Sequence, residues 1–268
     1  MKADTYSPKL TIDYILGKYP ISKGQVIHIG AHQAQEALIY DRYEFDTVLW
    51  VEALPGVAAA TSKLLGNFPR QHIVQAVCWS TYGIEIPFHV SKGEFSSSAL
   101  PMKLHRLIWP GSGMTETINL ESETVDRLTQ GLERISLLNI DVQGAELEVL
   151  NGARDALSKT EFLFLEVAVR ELYAGQGLLQ DINKYLNDSG FGLIEYEINP
   201  ETGDGSALYG NSVLCGEKLN LIYDSQFPNF QLNRKELIHR WSNYLRFRTK
   251  LLVRNAWRRF TGREIVPH

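Results

Sequence analysis

Apolar residues in this chain fall into two patterns. Short unbroken runs of about five or six read as strands buried on both faces of a parallel sheet, and runs with apolar residues every three to four positions read as helices. Residues 25–29 are the first strand, followed by helical spacing over 33–43 with Ala34, Ala37, Leu38 and Asp41 in successive turns. Residues 47–51 and 72–77 are the second and third strands, with a helix over 57–65 between them. That β-α-β-α-β order is the first half of a doubly wound sheet. A fourth strand over 135–140 leads into a helix over 145–157, and a fifth over 161–167 into a helix over 178–187 that ends at Ser189-Gly190. Strands over 192–198 and 207–214 flank a turn cluster at 199–205, and a lead-in helix with Leu10, Tyr14 and Ile15 on one face precedes Ser22.

The middle of the chain breaks this rhythm. Residues 84–90 alternate like an exposed strand, 93–99 form a small-residue loop, and 101–115, with two prolines and two glycines, are predicted to cover a cleft. A strand over 117–120 and a short helix over 123–130 follow. The organisation expected is one α/β domain over 1–216, with an inserted cover region around 84–120, and a separate extension over 217–268.

Chemistry is expected where strands end, because an open α/β sheet binds ligands at the carboxyl ends of its strands. The first strand ends in Gly30-Ala31-His32, where small residues let a ligand approach the backbone. A pyrophosphate loop needs a G-x-G-x-x-G pattern, and this turn has only Gly30, so a cofactor with a small charged amino-acid tail fits better. Glu52 ends the second strand 22 residues beyond Gly30, a spacing that suits an acid gripping the hydroxyls of an adenine-linked ribose. Ala76 and Val77 would flank the adenine, although core packing explains them equally well. Asp141 follows the apolar run 137–140 and points into the cleft, where it could accept a proton, bind an ammonium group or hold a metal ion. Glu166 repeats the pattern on the fifth strand, and two acids on adjacent strand ends make a candidate general base. Gln143-Gly144 gives a sharp turn. Glu146 reads either as a helix-start acid or as a catalytic one, and His32 faces the same cleft. His28 and the remaining histidines read as packing or surface residues.

Charge adds an asymmetry. Ten basic residues between Arg234 and Arg263, against the single acid Glu236, give that segment about +9, leaving about −13 for the rest of a chain with formal charge −4. Three readings of this basic helical extension stay open: packing on the acidic body, lying on an anionic membrane surface, or holding an anionic glycan. An acidic body without a nucleic-acid motif argues against nucleic acid. Cys78 and Cys215 read as reduced core residues, which places the protein in the cytoplasm, at most peripheral to the inner face of the membrane. The first 20 residues are too polar for a secretory signal, and no apolar run is long enough to span a membrane.

Six blocks in order resemble the FkbM-type family of S-adenosylmethionine-dependent O-methyltransferases. They are Ile29-Gly30-Ala31-His32 with Gln35-Glu36; Trp50-Val51-Glu52-Ala53-Leu54-Pro55; Ser96-Ser97-Ser98-Ala99-Leu100; the most specific, residues 141–153; Leu165-Glu166-Val167; and residues 204–209. The resemblance spans roughly residues 26–211. It implies a Rossmann-like class I methyltransferase sheet with helices on both faces, and an enzyme that methylates a hydroxyl of a sugar, glycan or natural-product acceptor. It further implies S-adenosylmethionine as cofactor, held by Gly30, Ala31, His32, Glu36, Glu52, Ala53, Ala76, Val77, Ser97, Asp141 and Gln143. Asp141 is then the first choice as base or metal anchor, with Glu166 and His32 behind it; a divalent metal is left open, as is oligomeric state. Trp109 and Met114 are candidates for the acceptor pocket, Trp109 also for a simple loop anchor. The chain departs from the family pattern at His28, where Asp is usual, and at Ala34, where Gly is usual. Those departures support the alternative of a catalytically silent module binding a glycan or membrane surface. A Rossmann dehydrogenase is disfavoured by the missing glycines.

Overall fold

The computed structural model describes residues 7–215 and, beyond them, Leu219, Leu221, Ile222, Phe227, Ile238, Trp241, Ser242, Leu245, Arg246 and Thr249. After α1 (Ile12–Lys18) the chain runs β1 (Gln25–Ile29), α2 (Ala37–Arg42), β2 (Thr47–Glu52), α3 (Pro55–Leu65), β3 (Gln71–Gln75) and β4 (Val77–Cys78). The middle adds β5 (Glu85–Ser91), α4 (His105–Ile108), β6 (Met114–Glu123) and α5 (Val125–Leu128). The second half contains β7 (Ile135–Ile140), α6 (Glu146–Asn151), α7 (Arg154–Ser158), β8 (Thr160–Ala168), α8 (Leu179–Asp188), β9 (Phe191–Ile198) and β10 (Asp204–Asn211).

The main sheet has the order β3-β2-β1-β7-β8-β10-β9, parallel except that β10 runs antiparallel to both neighbours. This is the Rossmann-like α/β fold expected. Alternation within the strands divides the core between two faces. Ile27, Ile29, Leu138, Ile140, Leu163 and Leu165 pack on one side, and Val26, Val48, Trp50, Leu137, Phe162 and Phe164 on the other. Because β1 pairs with both β2 and β7, its carboxyl end is the switch point of the sheet, with the tips of β2 and β7 beside it. Strands β4, β6 and β5 form a separate small sheet over the cover region.

Several expected boundaries move, each for a physical reason. The helix expected over 33–43 begins only at Ala37, because His32 and Ala34 have φ of 41° and 48°, which no right-handed helix admits. The helix expected over 145–157 is two short ones broken at Gly152, where a Cβ would lie 2.1 Å from the Trp79 carbonyl oxygen. The third strand stops at Gln75, and Val77–Cys78 turns into the small sheet against β6. β6 is ten residues long and takes in the end of the expected 101–115 loop, while the expected 123–130 helix is trimmed to Val125–Leu128. The last strand is Asp204–Asn211 rather than 207–214.

Cys78 and Cys215 are free thiols. Among the described residues no helix is long and apolar enough to cross a membrane. The expected basic extension over 217–268 lies outside the described residues except for the few named above. Of these, Ile238, Trp241, Ser242, Leu245, Arg246 and Thr249 are helical, and Trp241 Nε1 donates to the Leu107 carbonyl at 3.0 Å.

Candidate active site

At the switch point the backbone itself builds the cradle. The Asp141 amide donates to Ile29 O, and the amides of Gly30 and Ala31 both donate to Val51 O, each at 2.9 Å. Gly30 has φ 89°, and a Cβ there would fall 1.7 Å from the Asp141 carbonyl oxygen, so β1 and β7 meet this closely only over a glycine. The Glu52 carboxylate at the tip of β2 accepts the amides of His32 and Leu54, both at 2.8 Å, tying the turn after β1 to the start of α3. Burial raises its pKa against the opposing effect of those amides.

These tips open into a cleft with a cavity volume of about 290 Å³. Of the expected cofactor residues, Gly30, His32, Glu36, Glu52, Ala53, Ala76, Val77, Ser97, Asp141 and Gln143 line it. Ala31 does not: its side chain is buried in the core, and only its backbone belongs to the turn. The far wall is apolar, from Ala76, Val77, Cys78, Phe88 and Ala99, and the near wall is polar. Phe95 stacks on His32 with ring centroids 4.0 Å apart, although it is 62% exposed. His32 accepts from Gln35 Nε2 on Nδ1, and its Nε2 is buried without a partner. Burial lowers the His32 pKa, partly offset by Glu94 and Asp141. Phe95 and Glu94 were not legible beforehand; the small-residue loop carrying them gave no sign of folding over the first strand turn.

Glu166 does not line this cleft. It lies in a second cavity of about 290 Å³, with aromatic walls from Phe95, His105, Trp109 and Tyr173 and with Asp204 beside it. Trp109 lines this cavity and Met114 does not; both pack on the cluster of Ile108, Ala168, Leu172 and Tyr173. Gln143 and Phe95 belong to both cavities. Gln143 Nε2 donates to Asp141 Oδ1 and to Glu166 Oε2, each at 2.9 Å. Burial, then the neighbouring charges of Asp141, Glu146 and Asp204, hold the Glu166 carboxyl well above the usual carboxylate range, favouring its protonated form. Glu146 is fully buried and outside the cleft. Its Oε1 accepts the amides of Gly144 and Val142, its Oε2 has no partner, and burial pushes it up to about 7. Both bonds hold the turn at the start of α6. Among the described residues no group of three or more His, Cys, Asp or Glu side chains is placed to hold a metal ion.

The two departures now have structural readings. Ala34 sits at positive φ, where glycine is the unstrained residue and alanine costs about 1–2 kcal/mol. His28 is buried between Asn139, which donates to Nε2 at 2.8 Å, and Tyr40 at 3.1 Å from Nδ1, which therefore carries the ring proton; it stacks on Trp50. Burial pushes its pKa down from 6.5 to about 3. The unfolded chain gains this proton as pH falls below 6.5, whereas the folded chain resists until about 3. Stability contributed by the neutral ring is therefore complete above 6.5 and drains away across that window. The urea midpoint should fall between pH 7.5 and pH 5, and fall less in His28→Gln; identical pH dependence in the two proteins refutes this assignment.

A family profile described as "Methyltransferase FkbM domain" matches residues 28–193. Over 131 residues, 46% of this chain and 54% of the relative, the chain is 31% identical to the 2-O-methyltransferase NoeI of Sinorhizobium fredii (strain NBRC 101917 / NGR234). Over 64 residues, 24% of this chain and 23% of the relative, it is 41% identical to Methyltransferase sdnD of Sordaria araneosa. The matches thus span about half of the first relative and about a quarter of the second. Among solved structures, a protein of the NADB-Rossmann superfamily from Streptococcus agalactiae superposes with a TM-score of 0.44 at 13% identity, covering 87% of this chain and 75% of that one. That likeness is too loose to bear on chemistry.

Proposed function

The chain belongs to the FkbM methyltransferase family, and from that premise we propose that it transfers a methyl group from S-adenosylmethionine to a hydroxyl of a small-molecule or glycan acceptor. The observation that carries this reading is the junction of two cavities at Gln143, a cleft with apolar and polar walls on one side and an aromatic pocket with the acids Glu166 and Asp204 on the other.

The first cleft fits the donor in chemistry. Glu52 keeps unused lone pairs for two ribose hydroxyls. The apolar wall from Ala76 to Cys78 suits adenine. The glycine cradle beside Asp141, the half-buried acid Glu36 and the unpartnered His32 Nε2 suit an amino-acid tail bearing both charges. Bound there, S-adenosylmethionine supplies a methyl carbon already activated by its sulfonium. The protein's own task is then to place a hydroxyl and to take its proton. Positioning is worth on the order of 7–11 kcal/mol and a general base roughly 10²–10⁴-fold, so the pocket shape matters more than the base. Trp109, His105 and Tyr173 offer flat surfaces for a sugar ring. The pair of Asp141 and Glu166 receives the proton, Asp141 Oδ being the exposed acceptor. His32, stacked under Phe95 with its Nδ1 engaged, is the weaker candidate.

Calorimetry with S-adenosylhomocysteine tests the reading directly: absence of heat in the native chain sinks it. Glu52→Gln turns an amide NH₂ toward the donors of His32 and Leu54 and removes the ribose acceptor, so affinity should drop at least ~10-fold. Undiminished affinity would remove Glu52 from the donor site.

A further inference from the structure

Gln143 is held from three directions. Its backbone, at φ 57°, carries the side chain between the two cavities, and its carbonyl accepts the Ser98 hydroxyl at 2.8 Å. The amide Nε2 serves two acids, and Oε1 accepts the Tyr173 hydroxyl at 2.9 Å. The Tyr173 ring is buried and fixed against Gly144, where a Cβ would lie 2.9 Å from it, and its hydroxyl also reaches the Ser96 carbonyl at 3.2 Å. Turning the amide over would aim an oxygen at two carboxyl groups and an NH₂ at the phenol. Tyr173 has a single proton, and Oε1 is the nearer of its two acceptors, so the phenol acts together with the acids in setting which end of the amide faces them.

We propose that Tyr173 is a positioning residue: through Gln143 it holds Asp141 and Glu166 on one shared donor, so that the two acids receive a proton as a pair. The pairing is a property of the protein alone, and only its purpose rests on the methyl-transfer reading. The groups that face Glu166 are Asp141 at the end of β7, which acts on it by charge and by a direct side-chain hydrogen bond, and Glu146 in α6 and Asp204 at the start of β10, which act by charge. Tyr173 follows β8, and His105 of α4, in the same cavity, is kept neutral by burial, which pushes its pKa down to about 4. Acidic neighbours therefore surround the pair, and Gln143 is the donor seen on both of its members. A donor that favours the charged form lowers the pH at which the pair loses its last proton.

The test is a carbon-detected NMR titration of side-chain carboxyls in the full chain, native against Tyr173→Phe. Freed from the phenol, the amide no longer presents both hydrogens to the acids, and the upper midpoint of the Asp141–Glu166 pair should rise by about one pH unit or more. An unmoved midpoint in the folded variant overturns the proposal. Should Tyr173→Phe fail to fold, Gln143→Asn gives the same reading: asparagine tolerates the positive φ but is one methylene too short to span both acids. The same rise is expected there, and its absence is equally decisive against the proposal. S-adenosylhomocysteine binding, measured alongside, keeps the two ideas separate. A shifted midpoint without binding upholds the pairing and removes the donor site, whereas binding with an unshifted midpoint does the reverse.

Discussion

Asp141→Asn should leave S-adenosylhomocysteine affinity within about threefold of native while methyl transfer falls at least ~10²-fold. The substitution keeps shape and backbone. The Asp141 amide still donates to Ile29 O, and its carbonyl still abuts Gly30, so the cradle under the donor persists. What changes is the side chain, which can no longer take a proton, although its remaining oxygen can still accept from the NH₂ of Gln143. Glu166, bonded to the same amide, loses its charged neighbour and becomes easier to ionise. The measurement is transfer of a labelled methyl group to a panel of nucleotide sugars, oligosaccharides and lipid-linked glycans, followed by single-substrate kinetics on whichever accepts. Native turnover in the variant would take Asp141 out of the mechanism.

Gly30→Ala should be the most damaging small substitution in the sheet. It places a methyl group 1.7 Å from a backbone oxygen that cannot swing aside, at a φ of 89° that alanine resists. The left-handed conformation alone costs about 1–2 kcal/mol. Relieving the overlap means parting the tips of β1 and β7, which strains the bonds from Asp141 to Ile29 and from Gly30 to Val51. A total loss of roughly 4 kcal/mol or more is expected, read as a drop in the urea midpoint, with donor-product affinity falling in parallel. Gly56→Ala is the internal control. It lies in the first turn of α3 with nothing within 4 Å of the added methyl, and should change stability by no more than about 1 kcal/mol, in the favourable direction. Equal behaviour of the two variants would mean that the tips of β1 and β7 do not meet as described.

Glu166 marks the boundary between what local pattern specifies and what packing adds. Its apolar run marked it as a strand-tip acid like Asp141, and the strands are indeed neighbours. The chain pattern did not tell that Glu166, which shares one cavity with Asp141, also opens onto the aromatic one, or that Gln143 joins the two acids. Gln143 read as part of a turn because its backbone role is local, whereas its side-chain role depends on Tyr173, 30 residues away. Ala34 shows the reverse error. Its apolar side chain fits helical spacing and is buried, yet its positive φ belongs to a turn. Periodicity reports which side of the chain faces the core, not the sign of a backbone angle.

Local pattern was enough to specify the central strands β1, β2, β7 and β8, the two-sided core and the tips that end in Gly30, Glu52 and Asp141. Each of these follows from residues within a few positions of one another, where burial on two faces demands an unbroken apolar run and a tight turn demands a residue without bulk. Which tips meet was left to long-range packing. Gly30 touches Asp141 across 111 residues, Phe95 folds over His32, and the phenol of Tyr173 orients an amide between two acids. Such contacts are selected by the packing of the whole sheet, since an apolar run specifies a buried face but not the neighbour that covers it.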